Sequence, residues 1–117
     1  MPMPRPMPLS ILILAVFSTG ASAKALTGRQ VFDQTCHTCH ARGIAGAPQF
    51  GNRGAWRRHL AKGMKVLYEH AIHGYYGYSF MPPKGGDESL TDSEVRAAVR
   101  YMVAAVQPPG STLDPHQ

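Results

Sequence analysis

The chain has 117 residues, 44% of them hydrophobic and 16% charged, with 12 Lys and Arg against 7 Asp and Glu. That length suits one small domain and leaves no room for a large multidomain enzyme. Its only long apolar run falls well short of the ~20 residues that a membrane-spanning helix requires, so a bundle of spans is excluded.

The apolar run lies near the start. MPMPRPMP carries one cation, Arg5; Leu9 to Phe17 is then apolar except for Ser10; Ala21-Ser22-Ala23 supplies a small-x-small pattern. This order predicts an export signal over residues 1–23, cleaved after Ala23; left uncleaved, it would act as a tether. Removing residues 1–23 leaves 94 residues with 11 Lys and Arg against 7 acids, a net charge of +4 and no membrane span in the mature form. A domain that small buries a modest core and often depends on a disulfide, a metal or a cofactor. The domain is expected over residues 24–107, with 108–117 as a tail.

The first helical signal is Thr27-Gly28-Arg29-Gln30, a capping box with Thr at the cap and Gln three residues on. Val31, Phe32, Thr35 and Cys36 follow at helical spacing, so a helix runs into the stretch QTCHTCHA. Residues 41–54 are rich in Gly and read as loop. Ala55 to Lys62 and Met64 to His73 read as helices, with Gly63 and Gly74 as their stops. Residues 74–90, GYYGYSFMPPKGGDESL, read as a second long loop. Thr91 and Glu94 form another capping box. Val95, Ala98, Val99, Met102, Val103 and Val106 then mark one apolar face of a last helix. Pro108 and Pro109 prevent its continuation, and Gly110 to Gln117 is expected to be mobile. No segment shows the period-two alternation of a strand. The acids Asp87, Glu88, Asp92 and Glu94 at the start of the last helix read as partners of its dipole.

Both cysteines, Cys36 and Cys39, lie in CHTCH, and four chemistries compete for that motif. A disulfide is the usual fate of cysteines after export, but it would close a tiny loop and leave His40 without a role. A thioredoxin-like dithiol needs a βαβ context that is missing. A tetrahedral zinc site needs a second ligand pair, for which only His59, His70 and His73 offer themselves. Covalent haem gives each residue a function: Cys36 and Cys39, one turn apart, reach the two vinyl groups, and His40 meets the iron. His37, inside the motif, points away and reads as a surface residue. For the other side of the iron, Met64 starts a helix with no special setting, and Met102 lies on the apolar stripe. Met81 is followed by two prolines and two glycines that build a stiff, tightly turned loop, and is the favoured ligand. His59, His70 or His73 is the minor alternative.

CHTCHARGIAGAP, Trp56, LAKGMKVLYEHAIHG, MPPKGG and LTDSEVRAAVRYMV together resemble the class I cytochromes c, and within them the c5 type. The resemblance implies an all-α fold of three to five short helices wrapped around one covalent haem c, with the first and last helices crossing. It implies Cys36 and Cys39 as thioether sites, His40 and Met81 as axial ligands, and Pro48, Trp56, Tyr75, Phe80, Pro82 and Met102 as candidates to line the pocket. It also implies a non-enzymatic electron carrier in the bacterial periplasm, with no nucleic-acid partner. The donor would be a protein such as a quinol–cytochrome c reductase and the acceptor a terminal oxidase or reductase. The alternatives are a haem enzyme or gas sensor, and a subunit passing electrons within one complex. Three features depart from the family pattern. GGDESL lacks a second cysteine pair, Trp56-Arg57-Arg58-His59 displaces the arginine expected to meet the haem propionates, and GYYGYSF is longer than expected. The cations Arg42, Arg53, Arg57, Arg58, Lys62, Lys65 and Lys84 gather in the segment that would form the haem rim. They predict docking to an acidic patch.

Overall fold

A computed structural model of the chain describes residues 1–8, 10–108, 110 and 111. The described residues before Thr27 carry no helix or strand and are almost all exposed. Most of the tail expected to be mobile lies outside the described residues. The class is all-α. Helix α1 is one continuous run of three segments: Gly28–Val31, a π-helical turn at Phe32–Cys36, and His37–His40. Helices α2 (Arg53–Leu60), α3 (Met64–His73) and α4 (Asp92–Ala104) come after it. The long loop before α4 is more ordered than expected. It holds a two-residue antiparallel ladder, β1 (Tyr75–Tyr76) against β2 (Phe80–Met81), and a 3₁₀ turn at Pro83–Gly86. Strands of two residues are too short to show alternation, which is why none was expected.

Local chemistry sets the helix ends. Both capping boxes form: Thr27 accepts from the Gln30 N–H at 3.2 Å, and Thr91 accepts from the Glu94 N–H at 3.2 Å. Helix α2 begins at Arg53 rather than Ala55, because the Asn52 side chain accepts from the Ala55 N–H at 3.0 Å and caps the turn earlier. Helix α3 has the expected bounds. Gly74, at φ +98°, leaves α3 in a conformation that L side chains rarely adopt, and a Cβ there would lie 3.2 Å from the Met81 carbonyl oxygen.

The core forms where α1, α3 and α4 meet. The whole predicted stripe of α4, from Val95 to Met102 and Val103, is buried, as is Val106 beyond it. Val31 and Phe32 of α1 and Leu67, Tyr68, Ala71 and Ile72 of α3 pack against it. Met64 is part of this core, a setting its place at a helix start did not reveal. Helices α1 and α4 approach backbone to backbone: a Cβ on Gly28 would collide with the Ala97 carbonyl oxygen. Phe32, Phe50 and Tyr101 close the crossing, with ring centroids 4.9 to 5.5 Å apart. Glu94 does more than cap its helix. Its carboxylate also accepts the Leu26 N–H at 2.9 Å, joining the entry of α1 to the start of α4.

This packing makes two glycines opposite in sign. Gly28→Ala should destabilise the protein by ~1–3 kcal/mol or more, as overpacking against an unyielding backbone does. Gly54→Ala, exposed on α2 with only ordinary contact to the Asn52 side chain, should stabilise it by ~0.5–1 kcal/mol. Denaturant unfolding of the two variants checks both signs.

Candidate functional site

Helix α1 delivers Cys36, Cys39 and His40 to one cavity. In the π turn the His37 N–H donates to the Phe32 carbonyl, five residues back. That inserts an extra residue just before the motif and sets the phase of the final turn of α1. Cys36 is half-buried, Cys39 exposed, and both are unpaired. Burial pushes the Cys36 thiol up to about 11, so it stays protonated at neutral pH, unlike the thiol of a redox dithiol. Among the described residues, no three of His, Cys, Asp and Glu converge as a zinc site would require.

The segment after α1 folds back over His40. The Phe50 N–H donates to the His40 carbonyl at 2.7 Å, and the Trp56 indole N–H donates to the Gln49 carbonyl at 2.9 Å. The His40 ring nitrogen Nδ1 lies 2.9 Å from the Pro48 carbonyl oxygen. A carbonyl only accepts, so this bond assigns the proton to Nδ1 and leaves Nε2 with its lone pair. Trp56 stacks on the same imidazole, centroids 5.9 Å apart and planes 24° apart. Burial lowers the pKa of His40, with the Pro48 bond acting in the opposite sense, and so favours the neutral ring. Pro48 therefore acts through its backbone, which no side-chain pattern could disclose.

Met81 reaches the cavity from β2, held by pairing with Tyr75. The turn after it is tied at two points. Lys84 Nζ donates to the Leu90 carbonyl at 2.7 Å and lies 3.3 Å from Asp92. Gly85 abuts Thr35 of α1, whose hydroxyl lies 3.5 Å from Asp87. Lys84 is thus a structural tie at 18% side-chain exposure, and it leaves the set of docking cations proposed from sequence.

The cavity measures about 430 Å³, within the usual range of small-molecule and cofactor sites. Cys36, Cys39, His40, Pro48, Trp56, Tyr75, Phe80, Met81, Pro82 and Met102 all line it. So do Leu67, Ala71 and Val99, which make its walls largely apolar. Tyr76 and Tyr78, neighbours of Tyr75 and Phe80 in the sequence, stand in solvent instead, 79% and 94% exposed. His59 and His70 are also on the wall, whereas His73 is exposed and 3.4 Å from Glu69. His37 is exposed. Two adjacent thiols, a fixed neutral imidazole, a thioether and a large apolar space form a donor set and a volume that fit a haem.

Known proteins are similar to this chain in sequence and in fold. Residues 23–102 match the family described as cytochrome C oxidase, cbb3-type, subunit III. The chain is 46% identical over 80 residues to cytochrome c-555 of Chlorobaculum thiosulfatiphilum, covering 68% of this chain and 93% of that protein. It is 30% identical over 87 residues to cytochrome c5 of Ectopseudomonas mendocina, covering 73% and 97%. It superposes on a chain from the crystal structure of an electron transfer complex of nitrite reductase with cytochrome c. The TM-score is 0.61 and the identity 36%, over 68% of this chain and 94% of that one. A mono-haem ferrocytochrome c from Shewanella putrefaciens gives a TM-score of 0.56 and 32% identity, over 68% and 95%. The chain belongs to the monohaem class I c-type cytochromes, and its cofactor is one covalently bound haem c.

Haem bound in this cavity would complete an apolar core that so small a domain cannot build alone. The Cys36→Ser/Cys39→Ser chain, purified without haem, should therefore be largely unstructured. Its circular dichroism and melt check this; a cooperative, native-like transition would contradict it.

Proposed function

We propose that the protein is a periplasmic one-electron carrier, not an enzyme, exported by residues 1–23 and working as the domain over residues 24–107. Cys36 and Cys39 form the thioether bonds, and His40 and Met81 are the axial ligands. The observation that carries this reading is the convergence of all four on one apolar cavity, with His40 Nδ1 committed to Pro48 and Nε2 left over. The bound haem supplies a one-electron couple. The chain's own part is to hold two ligands still in both oxidation states. His40 is fixed by the Pro48 carbonyl and the Trp56 ring, and Met81 by the Tyr75 pairing and the Lys84 tie. Apolar walls keep water away and favour the less charged, reduced state. No helix among the described residues is long and apolar enough to cross a membrane.

The partners are redox proteins: a donor such as a quinol–cytochrome c reductase, and an acceptor such as a terminal oxidase or reductase. The nitrite reductase complex named above supports a reductase as acceptor. The description of the matched family favours a second reading, in which the chain is a subunit of an oxidase. Recovery of the protein in the soluble periplasmic fraction, free of membrane complexes, separates the two. Arg42, Arg53, Arg57, Arg58, Lys62 and Lys65 are exposed and support docking to an acidic patch.

Acidified acetone should fail to extract the haem, and the intact mass should equal residues 24–117 plus one haem; a bare-chain mass would sink the proposal. Met81→Ala should keep the haem attached, lower the potential and speed cyanide binding, whereas Met64→Leu should leave the iron spectrum as it was. An unchanged spectrum and potential in Met81→Ala would remove Met81 as ligand.

The electron-transfer rate with an anionic small-molecule oxidant should fall by ~10-fold or more as salt rises. Over 0.01 to 0.15 M the Debye length shrinks from ~30 to ~8 Å. A rate that is flat or rises with salt would remove the steering and leave the haem assignment standing.

A further inference from the structure

Apolar side chains are unevenly spread over the surface of the domain. Among the described residues from 24 onward, the large apolar side chains that stand exposed are Ile44, Tyr76, Tyr78 and Phe80, each by more than half. All of them belong to one corner. Tyr76 and Phe80 face each other across the β1–β2 ladder, ring centroids 5.1 Å apart, and Tyr78 stands in the turn between them. Ile44 opens the short turn Ile44–Gly46, and a Cβ on Gly46 would meet the Ser79 Cβ at 2.6 Å. In the same ladder the paired Tyr75 and Met81 line the cavity. Ile44 and Phe80 also touch it, so this patch is the outer side of the cavity wall. Single apolar residues on a surface need no explanation, but a set gathered on one hairpin does.

The hairpin is held in shape before anything meets it. Gly77 rests on the Tyr75 hydroxyl, where any Cβ would collide, and its N–H donates to the Ser79 carbonyl at 3.0 Å. The Arg58 guanidinium lies over the Tyr78 ring at 5.3 Å, and Lys62 Nζ lies over the Tyr75 ring at 4.9 Å. Rings fixed in advance lose little freedom on contact, and tyrosine and arginine are among the residues that carry most of the energy at protein interfaces. Charge names the occupant. Among the described residues, neither Arg58 nor Lys62 has an ion-pair partner. Two copies of this chain joined here would set these cations face to face, whereas a surface bearing carboxylates would pair them.

We infer that Ile44, Tyr76, Tyr78 and Phe80, with Arg58 and Lys62 beside them, are the seat of an acceptor protein that presents an apolar centre edged with carboxylates. This rests on the carrier reading above and adds a division of labour to it. The cations draw the partner in, and the aromatic hairpin holds it. A partner seated here lies against the outside of a wall whose inside is Tyr75 and Met81, so the path from the cavity to the partner crosses one two-stranded layer. The hairpin is also the segment, GYYGYSF, that departs in length from the family pattern.

The probe is nitrite reductase, an acceptor of the kind proposed above, with ferricyanide as a small polar anion that needs no apolar seat. In the haem-loaded protein, Tyr76→Ser/Tyr78→Ser should slow second-order electron transfer to the reductase by ~10-fold or more at fixed salt, as loss of interface tyrosines does. The rate with ferricyanide should not change, and the reductase rate should still fall with salt because the cations remain. Tyr76→Phe/Tyr78→Phe should restore the reductase rate. A further measurement needs no variant: on adding the reductase to the wild type, the amide NMR signals of residues 76–80 should broaden before those of Arg29 and Asp33 on α1. Equal slowing with both oxidants, an unchanged reductase rate, no transfer from the wild type to the reductase, or broadening that spares the hairpin would overturn the inference. So would a concentration-dependent dimer, or binding to phosphatidylglycerol vesicles, that is lost in the serine variant while the reductase rate is kept. A haem-loaded protein that ferricyanide fails to oxidise would instead remove the carrier reading itself.

Discussion

The crossing of α1 and α4 at Gly28 is the contact on which the other features depend. Because Gly28 has no side chain, the backbone of α1 can settle onto the Ala97 carbonyl, and the two apolar stripes then face each other from Val31 to Val103. The Phe32–Phe50–Tyr101 cluster closes that seam and pins the returning segment after α1. With α1 fixed at its start, the π turn at Phe32–Cys36 decides which way its end points. That end carries Cys36, Cys39 and His40. A register error at Gly28 would therefore be felt at the cavity, at the far end of the same helix.

The cavity imposes a second constraint. A chain with so few residues encloses a space that its own side chains do not fill, and it keeps that space open by bracing the rim. Pro48 and Trp56 brace one part through His40, while Lys84 and Asp87 brace another through the turn after Met81. These bonds sit in backbone and loop, where they cost little core volume. Fold stability and the placing of His40 and Met81 thus depend on the same few contacts, and the cofactor supplies the apolar surface that the polypeptide lacks.

Much of this was legible in the sequence because it is local. The capping boxes at Thr27 and Thr91 are patterns of four residues, and the α4 stripe repeats over three turns, so both predicted their elements well. CHTCH is local too, and so is the loop after Met81. What escaped was non-local or carried by backbone. The Pro48 carbonyl, the second bond of Glu94 to Leu26 and the burial of Met64 depend on where distant segments meet. The π turn is too short to disturb a hydrophobic period. The Asn52 cap was present in the sequence, but the glycines around it outweighed it as a loop signal. Lys84 looked like a surface cation because its role depends on Leu90 and Asp92, which close over it only in the fold.

The uneven charge of the molecule follows from the same packing. Asp87 accepts from the Ser89 hydroxyl and backbone and from Thr35; the Ser89 bonds chiefly hold its carboxyl below the usual range. Glu94 is held low first by the Thr91 N–H and then by that of Leu26. Asp92 lies against Lys84, Asp33 near Arg29 and Glu69 near His73. The acids are spent on capping helices and tying loops, mostly around the start of α4. The cations of α2 and the residues just after it have few such duties; Lys62 rests on Tyr75 of the cavity wall and Arg58 on the exposed Tyr78. Exposed ion pairs add little stability, so the acids matter here chiefly for where they are held. The acids gather at the start of α4, whereas the exposed cations Arg53, Arg57, Arg58 and Lys62 lie on α2 and just after it. That separation of charge along the chain is thus a by-product of how the last helix is capped.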